Sequence, residues 1–141
     1  MDRMTPQERS RLMARIRSKD TLPERLVRSL LHRMGFRFRV HSKKLPGTPD
    51  IVLPKYRVAI QVHGCFWHCH EGCKDASMPK SNTEFWQKKL ARNVERDLAK
   101  QKALEEAGWR VIVVWECETK DADALSSRLH GLITLTSPSD L

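Results

Sequence analysis

The sequence lacks long hydrophobic runs. None of its apolar stretches approaches the roughly 18 residues that a membrane-spanning helix needs, and the first residues, Met1 to Met4, contain no hydrophobic signal core. We therefore expect a cytoplasmic protein that neither spans a membrane nor is secreted. Cysteine is also scarce, with four among 141 residues. Because a reducing cytosol does not sustain structural disulfides, these four are predicted to be free thiols or metal ligands.

Acidic residues are few in the first third of the chain. Residues 1–44 contain 13 Lys and Arg against 4 Asp and Glu, hence a net charge of +9, whereas residues 45–141 contain 13 of each kind. A localised positive excess displaces counterions from a phosphate backbone, so this distribution favours a nucleic acid partner. The alternative interpretation is a charged face that only solubilises the protein.

Hydrophobic periodicity and capping signals predict a globular α/β fold. Thr5 to Glu8, Thr21 to Glu24 and Ser81 to Glu84 each have the pattern of a helix-capping box. Alternating or continuous β-rich apolar residues predict the strands. The expected order is α-α-β-β-β-α-β-α, a mixed sheet flanked by helices, with helices at about 6–17, 21–34, 81–107 and 121–132 and strands at 36–41, 50–53, 57–63 and 109–115.

Three segments are expected along the chain. Residues 1–20 form a basic N-terminal arm, whose predicted helix has too few apolar residues to be held on a core by burial alone and is suited to clamping DNA. Residues 21–135 form the folded domain, which includes an irregular loop at 64–80. Residues 136–141 form a polar tail.

The loop at 64–80 concentrates metal-binding residue types. Cys65, Cys69 and Cys73 lie within nine residues with His70 among them, and Cys117 lies just after the last predicted strand. Thiolate and imidazole ligands in a closed set of four are typical of structural zinc. We predict a structural zinc site formed by Cys65, His70, Cys73 and Cys117, with Cys69 as an alternative to His70. Small buried thiols without metal are the other interpretation.

A second candidate site begins at Pro49-Asp50. Asp50 opens a predicted strand, and a turn and a second strand ending at Gln61-Val62-His63 follow. PD-(D/E)xK nucleases hold magnesium in this topology, although they carry an acid and a lysine where this chain has Gln61 and His63. The pattern therefore indicates a nuclease core.

Longer motifs make this interpretation more specific. They are Glu24, LPGTPD at 45–50, HGCFWH at 63–68, TEFW at 83–86, NVERD at 93–97, GWRV at 108–111 and VWEC at 114–117. Over roughly residues 5 to 120 the chain resembles the very short patch repair (Vsr) mismatch endonucleases. The resemblance implies a PD-(D/E)xK-like restriction-endonuclease core. It also implies a bacterial DNA repair enzyme that nicks one strand 5′ to the thymine of a T·G mismatch, the lesion left by deamination of 5-methylcytosine.

The resemblance also implies the metals and the catalytic residues. Magnesium, as two ions, would be held by the Asp50 carboxylate and the backbone carbonyl of Val62, with Glu24 reaching water in the magnesium shell. His63, His68 and Asp97 would complete the centre, and which histidine is the general base stays open. The family's structural zinc ligands fall on Cys65, His70, Cys73 and Cys117.

DNA contacts are implied in the same way. Aromatic side chains would wedge between base pairs at the mismatch, whereas packing in the core is the alternative for them. Double-stranded DNA with a T·G mismatch is the expected partner, with mismatch repair factors as further partners and a nucleoid-associated location. A single catalytic centre on a short chain favours a monomer. The predicted DNA-binding residues are Phe66, Trp67 and Trp86 in the domain and Met13, Arg11, Arg15 and Arg17 in the arm.

Two other functions remain compatible with these residues. One is a sequence-tolerant restriction or transposon-type nuclease with the same core. The other is a zinc-stabilised DNA-binding module without catalysis, in which the basic arm and the aromatic residues act alone.

Overall fold

A computed structural model describes residues 21–135 of the chain. The predicted arm at 1–20, with its helix and the candidate DNA contacts Met13, Arg11, Arg15 and Arg17, lies outside the described residues, as does the predicted tail at 136–141.

The described residues form three α-helices and four β-strands. Their order, α-β-β-β-α-β-α, matches the predicted order from residue 21 onward. The elements are α1 (Leu22–Arg33), β1 (Arg39–Val40), β2 (Ile51–Leu53), β3 (Val58–His63), α2 (Thr83–Glu106), β4 (Arg110–Trp115) and α3 (Ala122–Ile133), with short 3₁₀ turns at Pro54–Tyr56, Lys74–Ala76 and Glu116–Lys120.

The sheet is mixed, with strand order β1-β2-β3-β4. The pairs β1–β2 and β2–β3 are antiparallel, whereas β3 and β4 are parallel and are connected through α2. Parallel strands end at the same edge of a sheet, so the register brings His63 beside Trp115. This edge, at the carboxyl ends of β3 and β4, carries the candidate site.

The core lies between one face of the sheet and helices α1 and α3. Alternate residues of the strands point to this face, as the two-residue period of a strand requires. Helix α2 contacts β4 and adds buried Leu90 and Leu104. The core cluster consists of Val27, Leu30, Leu31, Ile51, Leu53, Val58, Ile60, Ile112, Val114, Leu125, Leu129 and Ile133.

Three local predictions are wrong. The strand predicted at 36–41 is only Arg39–Val40, since Phe36 and Phe38 pack against the core instead of extending the ladder. The capping box predicted at 81–84 is absent, because the N-cap residue is Asn82, whose backbone is left-handed with φ 53° and whose side chain makes no capping bond. The nearly continuous apolar sequence at 109–115 predicts a strand buried on both faces, yet in β4 only Ile112 and Val114 are buried.

The first turn of α1 follows the prediction more closely. The Thr21 hydroxyl accepts a hydrogen bond from the Glu24 N–H at 3.3 Å. Glu24 is 1% exposed, and its carboxylate is directed to His41 and Arg28. The N-cap therefore fixes the position at which a buried carboxylate enters the site. Within residues 21–135, no helix combines the length and apolar composition required to cross a membrane.

Candidate active site and metal centres

His63 lies at the end of β3 in a largely dry environment. Its side chain packs edge-on against Trp115, with ring centroids 5.2 Å apart, and the residue is 9% exposed. Burial, followed by the neighbouring His68, lowers the pKa of His63 to about 4. The ring is therefore neutral near pH 7 and acts there as a hydrogen-bonding group without charge.

His68 lies directly over His63 and is held by a carboxylate. The two imidazole rings are stacked, with centroids 4.0 Å apart and planes 8° from parallel. His68 Nδ1 and Asp97 Oδ2 are 2.5 Å apart. Because the Asp97 carboxylate accepts at Nδ1–H, the Nε2 atom of a neutral His68 ring is left with its lone pair. Such an imidazole is oriented to accept a proton.

A second cluster of side chains, called here the acidic group, lies next to the end of β3 and consists of Glu24, His41 and Asp50. The carboxylates of Glu24 and Asp50 and the ring nitrogen of His41 have their ligand atoms within 4.8 Å of one another. Asp50 Oδ2 accepts a hydrogen bond of 2.7 Å from the Val62 N–H, so the main chain of β3 fixes this carboxylate. His41 Nε2 is 2.9 and 3.1 Å from the two Glu24 oxygens, and Arg28 pairs with Glu24.

Charge in this acidic group is poorly solvated. The pKa of Asp50 is raised to about 7, and burial is the largest cause. The hydrogen bond from the Val62 N–H lowers this pKa, whereas the adjacent Glu24 carboxylate raises it. Two carboxylates placed this close together repel each other when both are ionised. A divalent cation would relieve that repulsion, and carboxylate oxygens are the ligands that Mg²⁺ and Mn²⁺ prefer. The residues therefore fit a divalent cation.

The predicted catalytic residues thus form two groups that meet at Val62 and His63. Asp50 and Glu24 form one group, and His63, His68 and Asp97 form the other. The imidazole grouped with Asp50 is that of His41, which the sequence places only at the end of the strand predicted at 36–41. Strand alternation did not reveal it because His41 has a left-handed backbone, with φ 48°, just after β1 ends.

The predicted zinc residues come together as a compact set. The ligand atoms of Cys65, His70, Cys73 and Cys117 lie within 4.8 Å of one another, and Cys117 Sγ is 3.4 Å from His70 Nδ1. Tetrahedral bonds of about 2.3 Å to sulfur and about 2.0 Å to nitrogen would place these two atoms about 3.5 Å apart. The donor set therefore fits zinc. Cys69 is exposed and is not a member of this set.

Trp115 contacts both metal-capable regions. One face of its indole stacks on His70, with ring centroids 4.1 Å apart and planes 11° from parallel, while His63 lies edge-on at 5.2 Å. The loop that carries the Cys/His set is therefore packed against the same side chain that confines His63. Sequence reasoning did not identify this role, since it depends on the parallel register of β3 and β4.

Aromatic side chains form a cluster on the surface beside His68. Phe66, Trp67 and Trp86 pack edge-on or tilted, with centroids 5.1 to 5.9 Å apart, and each is only half-buried. None of the three belongs to the hydrophobic core cluster. Asn93 donates a 3.1 Å hydrogen bond to the Trp67 carbonyl, which ties this cluster to α2. The cluster therefore presents aromatic surface to solvent next to the candidate active site.

Comparison with known proteins identifies the family of the chain. The sequence model of one family, described as DNA mismatch endonuclease Vsr, matches residues 1–74. The type II nicking enzyme V.XorIIP of Xanthomonas oryzae pv. oryzae is 52% identical over 132 residues, covering 94% of this chain and 96% of that protein. The chain belongs to the Vsr family.

Two further relatives agree with this assignment. The type II nicking enzyme V.NmeAIP of Neisseria meningitidis is 47% identical, covering 94% of each chain, and the DNA mismatch endonuclease Vsr of Escherichia coli is 45% identical, covering 89% of this chain and 83% of that protein. Alignments of this extent run past residue 74 into α2 and β4. The predicted Vsr resemblance is confirmed, and the chain is a DNA endonuclease of this mismatch-specific family.

Proposed function

We propose that this chain is a magnesium-dependent endonuclease that nicks one DNA strand on the 5′ side of the thymine in a T·G mismatch. The observation that carries the proposal is the meeting of two groups at the carboxyl end of β3, the Asp50–Glu24 pair and the His63–His68–Asp97 group, in a member of the Vsr family. The choice of T·G and of one strand rests on the sequence resemblance.

The acidic group is the proposed magnesium centre. The Asp50 carboxylate and the backbone carbonyl of Val62 would hold the metal, and Glu24 faces the same space from α1. When bound, two magnesium ions would neutralise charge that develops on the scissile phosphate and favour in-line attack. The Val62 N–H holds the Asp50 carboxylate in place before DNA arrives, because it donates to Oδ2 at 2.7 Å.

His68 is the proposed general base. Its Nε2 takes the proton from the attacking water, while Asp97 keeps the proton on Nδ1 and stabilises the imidazolium that results. His63 remains neutral and orients water or phosphate oxygen through a hydrogen bond. Its stacking on His68 and its contact with Trp115 limit the rotation of both rings.

The remaining predicted parts have supporting roles in this proposal. The β2–β3 hairpin and α1 form a PD-(D/E)xK-like core in which Gln61 and His63 stand where the usual acid and lysine lie. Cys65, His70, Cys73 and Cys117 would hold zinc, which would link the loop 64–80 to the end of β4. Phe66, Trp67 and Trp86 insert at the mismatch, where unstacking costs least.

Other features predicted from the sequence belong to the same proposal. The arm at 1–20 clamps the duplex with Arg11, Arg15 and Arg17 on phosphates and Met13 at the opposite groove. The enzyme acts as a cytoplasmic, nucleoid-associated monomer in contact with mismatch repair factors.

Strand-resolved cleavage tests the proposal. A duplex with one T·G pair and a matched T·A duplex, each labelled on either strand in turn, are incubated with the full chain and Mg²⁺. We expect a single cut 5′ to the mismatched thymine, and loss of that cut in Asp50→Asn but not in Asp123→Asn, an exposed change on α3. Equal cutting of both duplexes would favour the sequence-tolerant nuclease, and no cutting would favour the non-catalytic DNA-binding module.

A further inference from the structure

His41 is a member of the acidic group that the proposed mechanism does not use. Its Nε2 lies 2.9 and 3.1 Å from the two oxygens of Glu24, and these ligand atoms lie within 4.8 Å of the Asp50 carboxylate. The His41 side chain is 18% exposed and that of Glu24 is 2% exposed. An imidazole nitrogen therefore faces the space in which a metal held by Asp50 and Glu24 would lie.

The backbone directs His41 to this position. The His41 N–H donates a 3.0 Å hydrogen bond to the backbone carbonyl of Asp50. This bond holds the end of β1 beside Asp50, the carboxylate of the proposed metal centre. With φ 48°, His41 leaves the extended conformation of β1, so its side chain does not follow the alternation of Arg37 and Arg39. The position of His41 is therefore fixed relative to that of Asp50.

The observed separations suit a metal ligand as well as a hydrogen bond. Octahedral bonds of about 2.1 Å place neighbouring ligand atoms about 3.0 Å apart. The 2.9 and 3.1 Å distances between His41 Nε2 and the Glu24 oxygens have this value. A cation could thus replace the shared hydrogen bond without large movement of either side chain.

We propose that His41 is a nitrogen ligand of the divalent cation bound by Asp50 and Glu24, and that it gives this centre a preference for Mn²⁺ over Mg²⁺. Imidazole nitrogen binds first-row transition ions much better than it binds Mg²⁺, which dehydrates reluctantly and favours oxygen. A centre with two carboxylates and one imidazole therefore discriminates between the two ions more strongly than one with oxygen ligands alone. This inference rests on the proposed function, since it concerns the same centre, but it makes Glu24 a direct ligand and adds His41 as another.

Equilibrium metal binding tests the inference without measuring cleavage. The full chain is first loaded with Zn²⁺, and bound Mn²⁺ is followed by electron paramagnetic resonance, with Mg²⁺ added as competitor. We expect the ratio of the Mg²⁺ to the Mn²⁺ dissociation constant to fall at least about tenfold in His41→Gln, which substitutes an oxygen donor. His32→Gln, an exposed change near the end of α1, is the matched control and should keep the ratio of the unmodified chain.

Pulsed resonance of the bound Mn²⁺ reports the ligand directly. The unmodified chain and His32→Gln should show hyperfine coupling to ¹⁴N, and His41→Gln should lose it. Absence of coupling in the unmodified chain, or its persistence in His41→Gln, overturns the inference. If His41→Gln does not fold, anomalous diffraction of the Mn²⁺-loaded unmodified chain is the alternative test. A manganese peak at bonding distance from His41 Nε2 supports the inference. A manganese peak beyond bonding distance from His41 Nε2 overturns it.

The same experiments separate this inference from the proposed function. Asp50→Asn should abolish both Mn²⁺ binding and nicking, because Asp50 belongs to the proposed centre itself. If Asp50→Asn behaves in this way while His41→Gln keeps the metal ratio and the ¹⁴N coupling, only the role of His41 is wrong. If Asp50→Asn retains binding and nicking, the proposed centre is wrong as well.

Discussion

At the scale of single residues, the contact between His68 and Asp97 decides which ring nitrogen of His68 can accept a proton. Asp97 lies on α2 and His68 on the loop after β3, and their side chains approach to 2.5 Å. A carboxylate at this position can only accept, so it selects one tautomer of the imidazole. An amide can donate to Nδ1 and select the other tautomer.

We predict that Asp97→Asn lowers the nicking rate constant by about 10²–10⁴-fold while DNA affinity stays unchanged. Single-turnover nicking of the T·G duplex and fluorescence anisotropy of a labelled duplex measure the two quantities. Glu95→Gln, an exposed change two residues away on the same helix, is the control. A rate constant for Asp97→Asn within about threefold of the unmodified chain would show that His68 is not the base that Asp97 orients.

The sequence predicts candidate site residues that occur in specific motifs, but it does not predict those whose position depends on backbone geometry. Asp50, His68 and Asp97 were recognised because they occur in specific motifs, and the structure places each of them in a metal-capable group. His41 was not recognised, since only its left-handed φ of 48° directs it toward Glu24. No residue pattern in the strand reports that conformation.

At the scale of secondary-structure elements, helix α2 connects the two parallel strands and supports the catalytic edge. Helical spacing predicts that its apolar residues lie on or near one face, yet Phe85 and Leu98 are 57% and 63% exposed, whereas Leu90 and Leu104 are 2% and 0% exposed. The helix therefore packs on the rest of the protein through few buried side chains, Leu90 and Leu104. Because the helix also carries Asp97, the position of Asp97 depends on this packing.

We predict that Leu104→Ala lowers the free energy of unfolding by about 2–5 kcal/mol, because it leaves a cavity under the helix. Leu98→Ala makes the same chemical change on the same helix at an exposed position and should alter stability by less than about 0.5 kcal/mol. Urea unfolding followed by circular dichroism measures both. Equal effects of the two substitutions would contradict the assigned burial of α2.

Element order was predictable here and element ends were not. Periodicity predicted every helix and strand from residue 21 onward in the correct order, because apolar alternation reflects burial directly. The end of β1 and the N-cap of α2 depend instead on left-handed backbone at His41 and Asn82. The parallel pairing of β3 with β4, which brings Trp115 to His63, is a long-range property that local pattern does not contain.

At the scale of the whole molecule, the Cys/His set joins the irregular loop after β3 to the end of the sheet. Cys65, His70 and Cys73 come from the loop after β3, and Cys117 from the turn after β4. Burial raises the pKa of the Cys65 thiol, and a bound cation would favour the thiolate instead. Metal binding is thus expected to contribute to folding stability.

We predict that the purified chain contains about one zinc ion and that Cys117→Ser lowers both the zinc content and the melting temperature, the latter by at least about 5 °C. Removing one of four ligands weakens the link between the loop and β4. Cys69→Ser, at the exposed cysteine outside the set, should leave both values unchanged. Elemental analysis and calorimetry measure them, and the reverse ranking of the two variants would show that Cys69 is the ligand.

The central claim is that Asp50 and His68 act on the same phosphate. A crystal structure of the chain with a nicked T·G duplex and Mn²⁺ tests it most directly through the anomalous signal of the metal. We predict a manganese peak against the Asp50 carboxylate and the 5′-phosphate of the mismatched thymine within one water of His68 Nε2. A metal bound away from Asp50, or a phosphate more than about 6 Å from His68 Nε2, would contradict the claim.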